Sequence, residues 1–69
     1  MAGSVYKVIE LVGTSEDSWE EAARRAVNKA GKSVRDLRVA EVVKLDMTVA
    51  ENKVTAFRAR LNVSFKYED

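Results

Sequence analysis

The 69 residues include no histidine and no cysteine, which removes Ser-His and Cys-His nucleophiles, thiolate redox chemistry and zinc sites built on those ligands. Any chemistry must come from carboxylates, cations and hydroxyls. Two carboxylate pairs, Glu16/Glu20 and Asp17/Glu21, stand at helical spacing and could share acid–base work. The same four acids sit where a helix would begin, and complementing the helix dipole accounts for them without a ligand. Gly13-Thr14-Ser15 precedes them, and a strand-to-helix junction of that composition could hold an anion. It lacks the glycine spacing of a phosphate loop or dinucleotide fingerprint, so capping is its expected role.

The cations Arg58, Arg60 and Lys66, with Lys44, fall on what alternation makes one polar sheet face. Such a row could meet phosphates. No aromatic is interleaved for base stacking, and 12 basic against 11 acidic residues leave a net charge of only +1. A solvated face, or salt bridges between subunits involving Glu10, Asp46 and Glu51, is expected instead of a nucleic-acid partner. Glu41 interrupts an apolar face and needs either a basic partner, such as Arg38 or an arginine of another subunit, or a cation. Oxygen ligands alone, Glu41, Asp46, Glu51 and Asp36, suit calcium or magnesium. Glu41 and Asp46 are the metal candidates, although their spacing matches no calcium loop.

The elements that would position these residues are legible in the pattern. Trp19, Ala22, Ala23, Ala26, Val27, Ala30 and Val34 recur with a 3.6-residue period and predict one amphipathic helix, ending between Gly31 and Arg35. Ser15 and Ser18 can each accept a backbone N–H at its start, and Ser18 with Glu21 has capping-box spacing. Four alanines on the stripe let a sheet approach closely, with Trp19 filling the first turn. Val5 to Val12 reads as a first strand, apolar on both faces. A neighbouring subunit on one side, or a central position with core on both sides, would each explain that.

Arg38 to Val49 predicts a second strand whose odd positions, Val39 to Val49, face the helix with only Glu41 out of place. Thr55 to Tyr67 alternates most cleanly and predicts a strand with one buried face. Matching apolar faces across a five-residue loop, Ala50 to Val54, pairs Val49 with Thr55, Leu45 with Ala59, Val39 with Phe65 and Asp46 with Arg58. The expected architecture is α+β, in the order β-α-β-β, a three-stranded antiparallel sheet wrapped around one helix.

Residues 1–69 are expected to form one domain. A chain this short buries only about 60% of its unfolded surface. Without disulfide or zinc, association between copies is the remaining source of stability. No apolar run is long enough for a membrane span, and Met1-Ala2-Gly3-Ser4 lacks the features of a secretory signal, so a cytoplasmic protein is expected.

Taken together, Val5-Tyr6-Lys7-Val8-Ile9-Glu10, Val12-Gly13-Thr14-Ser15, the helix with Ser18, Ala22, Ala23 and Ala26, Val39-Ala40-Glu41-Val42, and Val63-Ser64-Phe65 resemble the dodecins over essentially the whole chain. That resemblance implies a β-α-β-β subunit assembling into a hollow homododecamer that stores or sequesters flavin without catalysis. In flavin-binding dodecins a tryptophan stacks on the isoalloxazine ring and a glutamine hydrogen-bonds it. Here those positions are Val39 and Arg58. Valine has no ring face, and arginine offers donors but no acceptor. Trp19, on the helix stripe, is expected in the core and does not replace the stacking residue. The implied function is a non-enzymatic, homododecameric small-ligand binder whose ligand remains unidentified. Calcium is the alternative, as in dodecin-like proteins lacking that tryptophan, and residual flavin storage the lesser one. The implied partners are other copies of the chain and a small molecule or cation, with no nucleic acid and no membrane.

Overall fold

The structure, a computed structural model, describes residues 3–67, so Met1 and Ala2 of the leading segment lie outside the described residues. Four elements follow in order: β1 (Tyr6–Ser15), α1 (Trp19–Ala30), β2 (Leu37–Ala50) and β3 (Lys53–Lys66). The strands form one antiparallel sheet in the order β1-β3-β2. This is the expected β-α-β-β subunit. The cleanly alternating strand is the central one: Ala59, Leu61 and Val63 are buried, while the residues between them are half-exposed. β1 is an edge strand, not a central one, and its second apolar face is open, with Val8 56% and Val12 48% exposed.

The helix starts as expected, with the Ser18 hydroxyl accepting from the Glu21 N–H at 3.0 Å and Ser15 Oγ from the Asp17 N–H at 2.9 Å. The Glu21 carboxylate turns to Arg25 Nε at 3.2 Å. Helical structure stops at Ala30, capped by Gly31. Val34 therefore leaves the stripe and sits in the following turn, its N–H donating to the Ala30 carbonyl at 2.9 Å.

Gly13-Thr14-Ser15 is not a junction. These residues are the last three of β1, paired with Ala59, Arg58 and Phe57. Gly13 marks the closest approach of sheet and helix: a Cβ there would overlap the Ala22 carbonyl oxygen and stand 3.0 Å from the Ala26 Cβ. Around this contact lies a small core of Ala22, Ala26, Ala59, Leu61 and Val63, with Ile9, Leu11, Ala23, Val27 and Leu37 packed against it.

Two further expectations change. The hairpin is closed by two residues, Glu51 and Asn52, both left-handed at φ 53° and 64°, and not by the loop Ala50 to Val54. That conformation matches the twist of the flanking strands. It pairs Ala50 with Lys53 and Val49 with Val54, and leaves Thr55 as an extra residue before Thr48 meets Ala56. Between Lys44 and Thr48 the expected register holds, with Leu45 opposite Ala59 and Asp46 opposite Arg58. Beyond it, Val43 is a second extra residue and Arg38 a third, so Val39 pairs with Ser64, not Phe65. Each extra residue exchanges the two faces of the strand that carries it. From Val42 backwards the even positions share the face of Leu45, and Val39 and Glu41 turn to the side away from the helix. Glu41, opposite Asn62, does not interrupt a buried face.

Length decides how much the helix can cover. Twelve helical residues span roughly 18 Å, whereas 14-residue strands span roughly 46 Å. α1 packs on β1 and β3 and scarcely touches β2, and the molecule measures 55 × 20 × 14 Å. Its radius of gyration, 14.4 Å, exceeds the about 11 Å of a compact domain this long. The apolar residues of β2 that were expected under the helix stay open, with Leu45 50% and Met47 44% exposed.

Substituting Gly13→Ala is expected to destabilise the chain by at least about 1–3 kcal/mol through overpacking. Urea denaturation checks this, and an unchanged midpoint would show that helix and sheet are not in contact there.

Candidate functional site

The face of the sheet away from the helix carries Val39, Glu41, Asp46 and Arg58, because the bulge at Val43 delivers Val39 and Glu41 to the same side as Asp46 and Arg58, whereas Glu16, Asp17, Glu20 and Glu21 lie at the start of α1 or just before it and Asp36 and Glu51 in the flanking turns. Cross-strand rows order it. Asp46 and Thr14 flank Arg58, Lys44 and Val12 flank Arg60, Glu41 and Glu10 flank Asn62, and Val39 and Val8 flank Ser64.

The best-defined contact is the Arg58–Asp46 pair. Arg58 Nε donates to Asp46 Oδ1 at 2.7 Å and Nη2 to Oδ2 at 2.8 Å, a two-pronged bond. It forms because register sets the two residues opposite one another and the planar guanidinium matches the carboxylate. The hydrogen bonds from Arg58 hold the Asp46 carboxyl below its usual value. Partial burial opposes this, and the charges of Arg58, Lys44 and Arg60 add to it. The Arg58 guanidinium is raised in return, by its bonds to and the charge of Asp46. Both side chains remain more than a third exposed, at 37% and 38%, so solvent screens the pair and its main effect is to fix the guanidinium.

Trp19 anchors this corner from the other side of the sheet. Its indole N–H donates to the Asp46 backbone carbonyl at 3.0 Å, and its ring meets Phe57 edge-on at 5.0 Å. The sequence assigned Trp19 to packing and missed this link to β2. The available signal was general: a tryptophan held in a core needs an acceptor for its N–H.

The other candidates do not converge. Val39 is 61% exposed, and its partner Ser64 lies six residues along β3 from Arg58, roughly 20 Å at strand rise. Glu41 and Asp46 are set four β3 residues apart by their partners Asn62 and Arg58, roughly 13 Å. One ion cannot bind both within a subunit, and the described residues hold no group of three or more metal-ligating side chains. Glu10 approaches Arg60 at 3.9 Å, and among the described residues Glu41 has no ion-pair partner.

The sequence profile of the dodecin family matches residues 5–68. This chain is a dodecin. It is 52% identical over 63 residues to calcium dodecin of Mycobacterium tuberculosis, covering 91% of this chain and 89% of that protein. The crystal structure of that calcium-chelating antigen, which has a calcium-binding site, superposes with a TM-score of 0.83 over 94% of this chain and 93% of that one. The dodecin of Thermus thermophilus is 40% identical over 67 residues, 97% of each chain. Dodecin from Streptomyces coelicolor is 32% identical, with a TM-score of 0.91 over 100% of this chain and 99% of that one. The expected family and subunit fold stand, and the chain is a dodecin-like small-ligand-binding protein. No helix among the described residues is long and apolar enough to cross a membrane.

Because the Asp46 carboxyl is lowered in the folded dodecin, its contribution to stability is present above the ordinary aspartate value of about 3.9. It is lost as pH falls through the lower folded value. Asp46→Asn is therefore expected to melt below the wild type at pH 7 and to converge with it as pH falls below the ordinary aspartate value. A gap that stays constant across that range would show that the carboxylate contributes no pH-linked stability.

Proposed function

We propose that this dodecin is a non-enzymatic, cytoplasmic homo-oligomer, a hollow dodecamer, that binds a small ligand where copies meet and has lost the usual flavin contacts. The observation that carries this is the separation of Val39 from Arg58. Roughly 20 Å of strand divides the two positions that resemblance assigns to the ligand, so a ring-sized molecule reaches both only if they come from different copies. The apolar residues that the helix leaves uncovered on β2, together with Val8 and Val12 on β1, supply area for such contacts.

Flavin does not fit the residues present. Val39 offers no stacking face, and Arg58 offers only donors, two of which are engaged by Asp46. A ligand with anionic or carbonyl oxygens suits the remaining N–H groups better than a flavin edge needing an acceptor.

Calcium is the second reading, favoured by the 52% identity to calcium dodecin. A calcium ion takes six to eight oxygen ligands, and Glu41 and Asp46 cannot supply them to one ion within a subunit. A calcium site would draw carboxylates from several copies, and at Asp46 it would compete with Arg58.

Native mass spectrometry of protein purified without added ligand is expected to give a dodecamer; a folded monomer at low micromolar concentration would overturn the assembly. Flavin titration is expected to leave fluorescence unquenched in the wild type, and V39W/R58Q to introduce quenching. Quenching by the wild type would return flavin storage to the lead. A melting shift on adding calcium, reversed by chelator, would favour the cation reading.

A further inference from the structure

The helix side of the sheet carries a groove of about 460 Å³ between α1 and the edge strand β1, within the roughly 300–1,000 Å³ typical of small-molecule sites. Val39, Asp46 and Arg58, on the other side of the sheet, take no part in it. Ile9, Leu11, Ala26 and Ala30 supply an apolar floor, and the run of β1 from Ile9 to Thr14 sets its length at roughly 17 Å. Gly13 lies against Ala22 and Ala26 and the chain reverses between β1 and α1. Arg25 therefore stands at the Thr14 end of the groove, and Ala30 and Val34 at the Ile9 end.

The charge of the lining is one-sided. Arg25 and Lys29 stand one helical turn apart on the rim, and none of the residues lining the groove is acidic. The Glu21 carboxylate already meets Arg25 Nε at 3.2 Å and neutralises that cation. Lys29 is exposed and forms no ion pair among the described residues. One uncompensated positive charge beside an apolar trough is the complement of a molecule with one negative charge and a hydrocarbon tail.

We propose that this groove binds a fatty carboxylate, with its head on Lys29 and its tail along Leu11, Ala30 and Ile9 towards Val34. A phosphate head fits less well, because its second negative charge would face only an arginine already engaged by Glu21. Binding there needs neither the polar face of the sheet nor a residue of another copy.

Isothermal titration calorimetry of the assembled protein with dodecanoate, below its micelle concentration, is expected to show saturable binding of one molecule per chain. K29E is expected to weaken it by about tenfold or more, and K29R to stay within about twofold of the wild type. K32E makes the same charge change on the following turn, outside the groove lining, and is expected to bind as the wild type does. 1-Dodecanol, with the same tail and no charge, is expected to bind several-fold more weakly. K29Q removes the charge without reversing it and gives the test if K29E does not assemble; circular dichroism and native mass spectrometry separate loss of the site from loss of the fold. No saturable binding by the wild type overturns the proposal and leaves the groove to another copy of the chain. Equal weakening by K29E and K32E, or dodecanol binding as tightly as dodecanoate, also overturns it, since neither result needs a cation at the rim. Loss of binding in R58A with K29E unaffected would move the amphiphile to the polar face, overturning the groove while supporting an anionic ligand at Arg58.

Discussion

A helix of 12 residues cannot cover a hairpin of two 14-residue strands, and most of the molecule's character follows from that mismatch. Backbone rise sets the two lengths at roughly 18 and 46 Å, and no choice of side chain changes them. The covered part of the sheet is packed to the limit of contact, since Gly13 lies against the Ala22 carbonyl and the core consists largely of alanines. Small residues bring the two layers close, but they bury little apolar surface each. Among the described residues only Leu61 and Val63 are large side chains that are fully buried. The uncovered part keeps its valines, leucine and methionine in the open, where contact with other copies is the natural remedy.

The bulge at Val43 is the second determinant. One extra residue in β2 turns Val39 and Glu41 from the helix side to the polar side, alongside Asp46, Arg58 and Arg60. A strand without it would place a carboxylate towards the helix side of the sheet, and Glu41 would need a partner there. Bulges on an edge strand also interrupt its pairing edge and make an extended strand-to-strand junction along β2 less favourable. Association by faces is the alternative left.

On the polar side, the Asp46–Arg58 pair defines what the site can offer. The carboxylate that a cation would want is occupied by the guanidinium, and the guanidinium that an anion would want is oriented by the carboxylate. A cation at Asp46 would compete with the guanidinium for the same two oxygens. The pair is held from behind by Trp19, whose indole ties the backbone of Asp46 to the start of the helix. Packing and site chemistry thus meet at one residue of β2.

Local periodicity and register were sufficient for much of this. The 3.6-residue stripe from Trp19 to Ala30, the Ser18 cap, the alternation of β3 and the opposition of Asp46 to Arg58 were all legible, because each depends on residues near in sequence or on a single face-matching rule. The left-handed turn at Glu51-Asn52 was not legible: neither residue is glycine, and the loop could close in more than one length. The bulges at Arg38, Val43 and Thr55 left no mark in composition, so faces assigned by strict alternation failed beyond them, first at Glu41. Gly13 was legible as a small residue near a helix, but only the packed structure distinguished a strand-to-helix junction from a point of contact. Sequence by itself determined which elements form and the family they compose. Tertiary structure decided which side of the sheet each candidate residue occupies, because a single inserted residue exchanges faces at a cost too small to be encoded in the residue type.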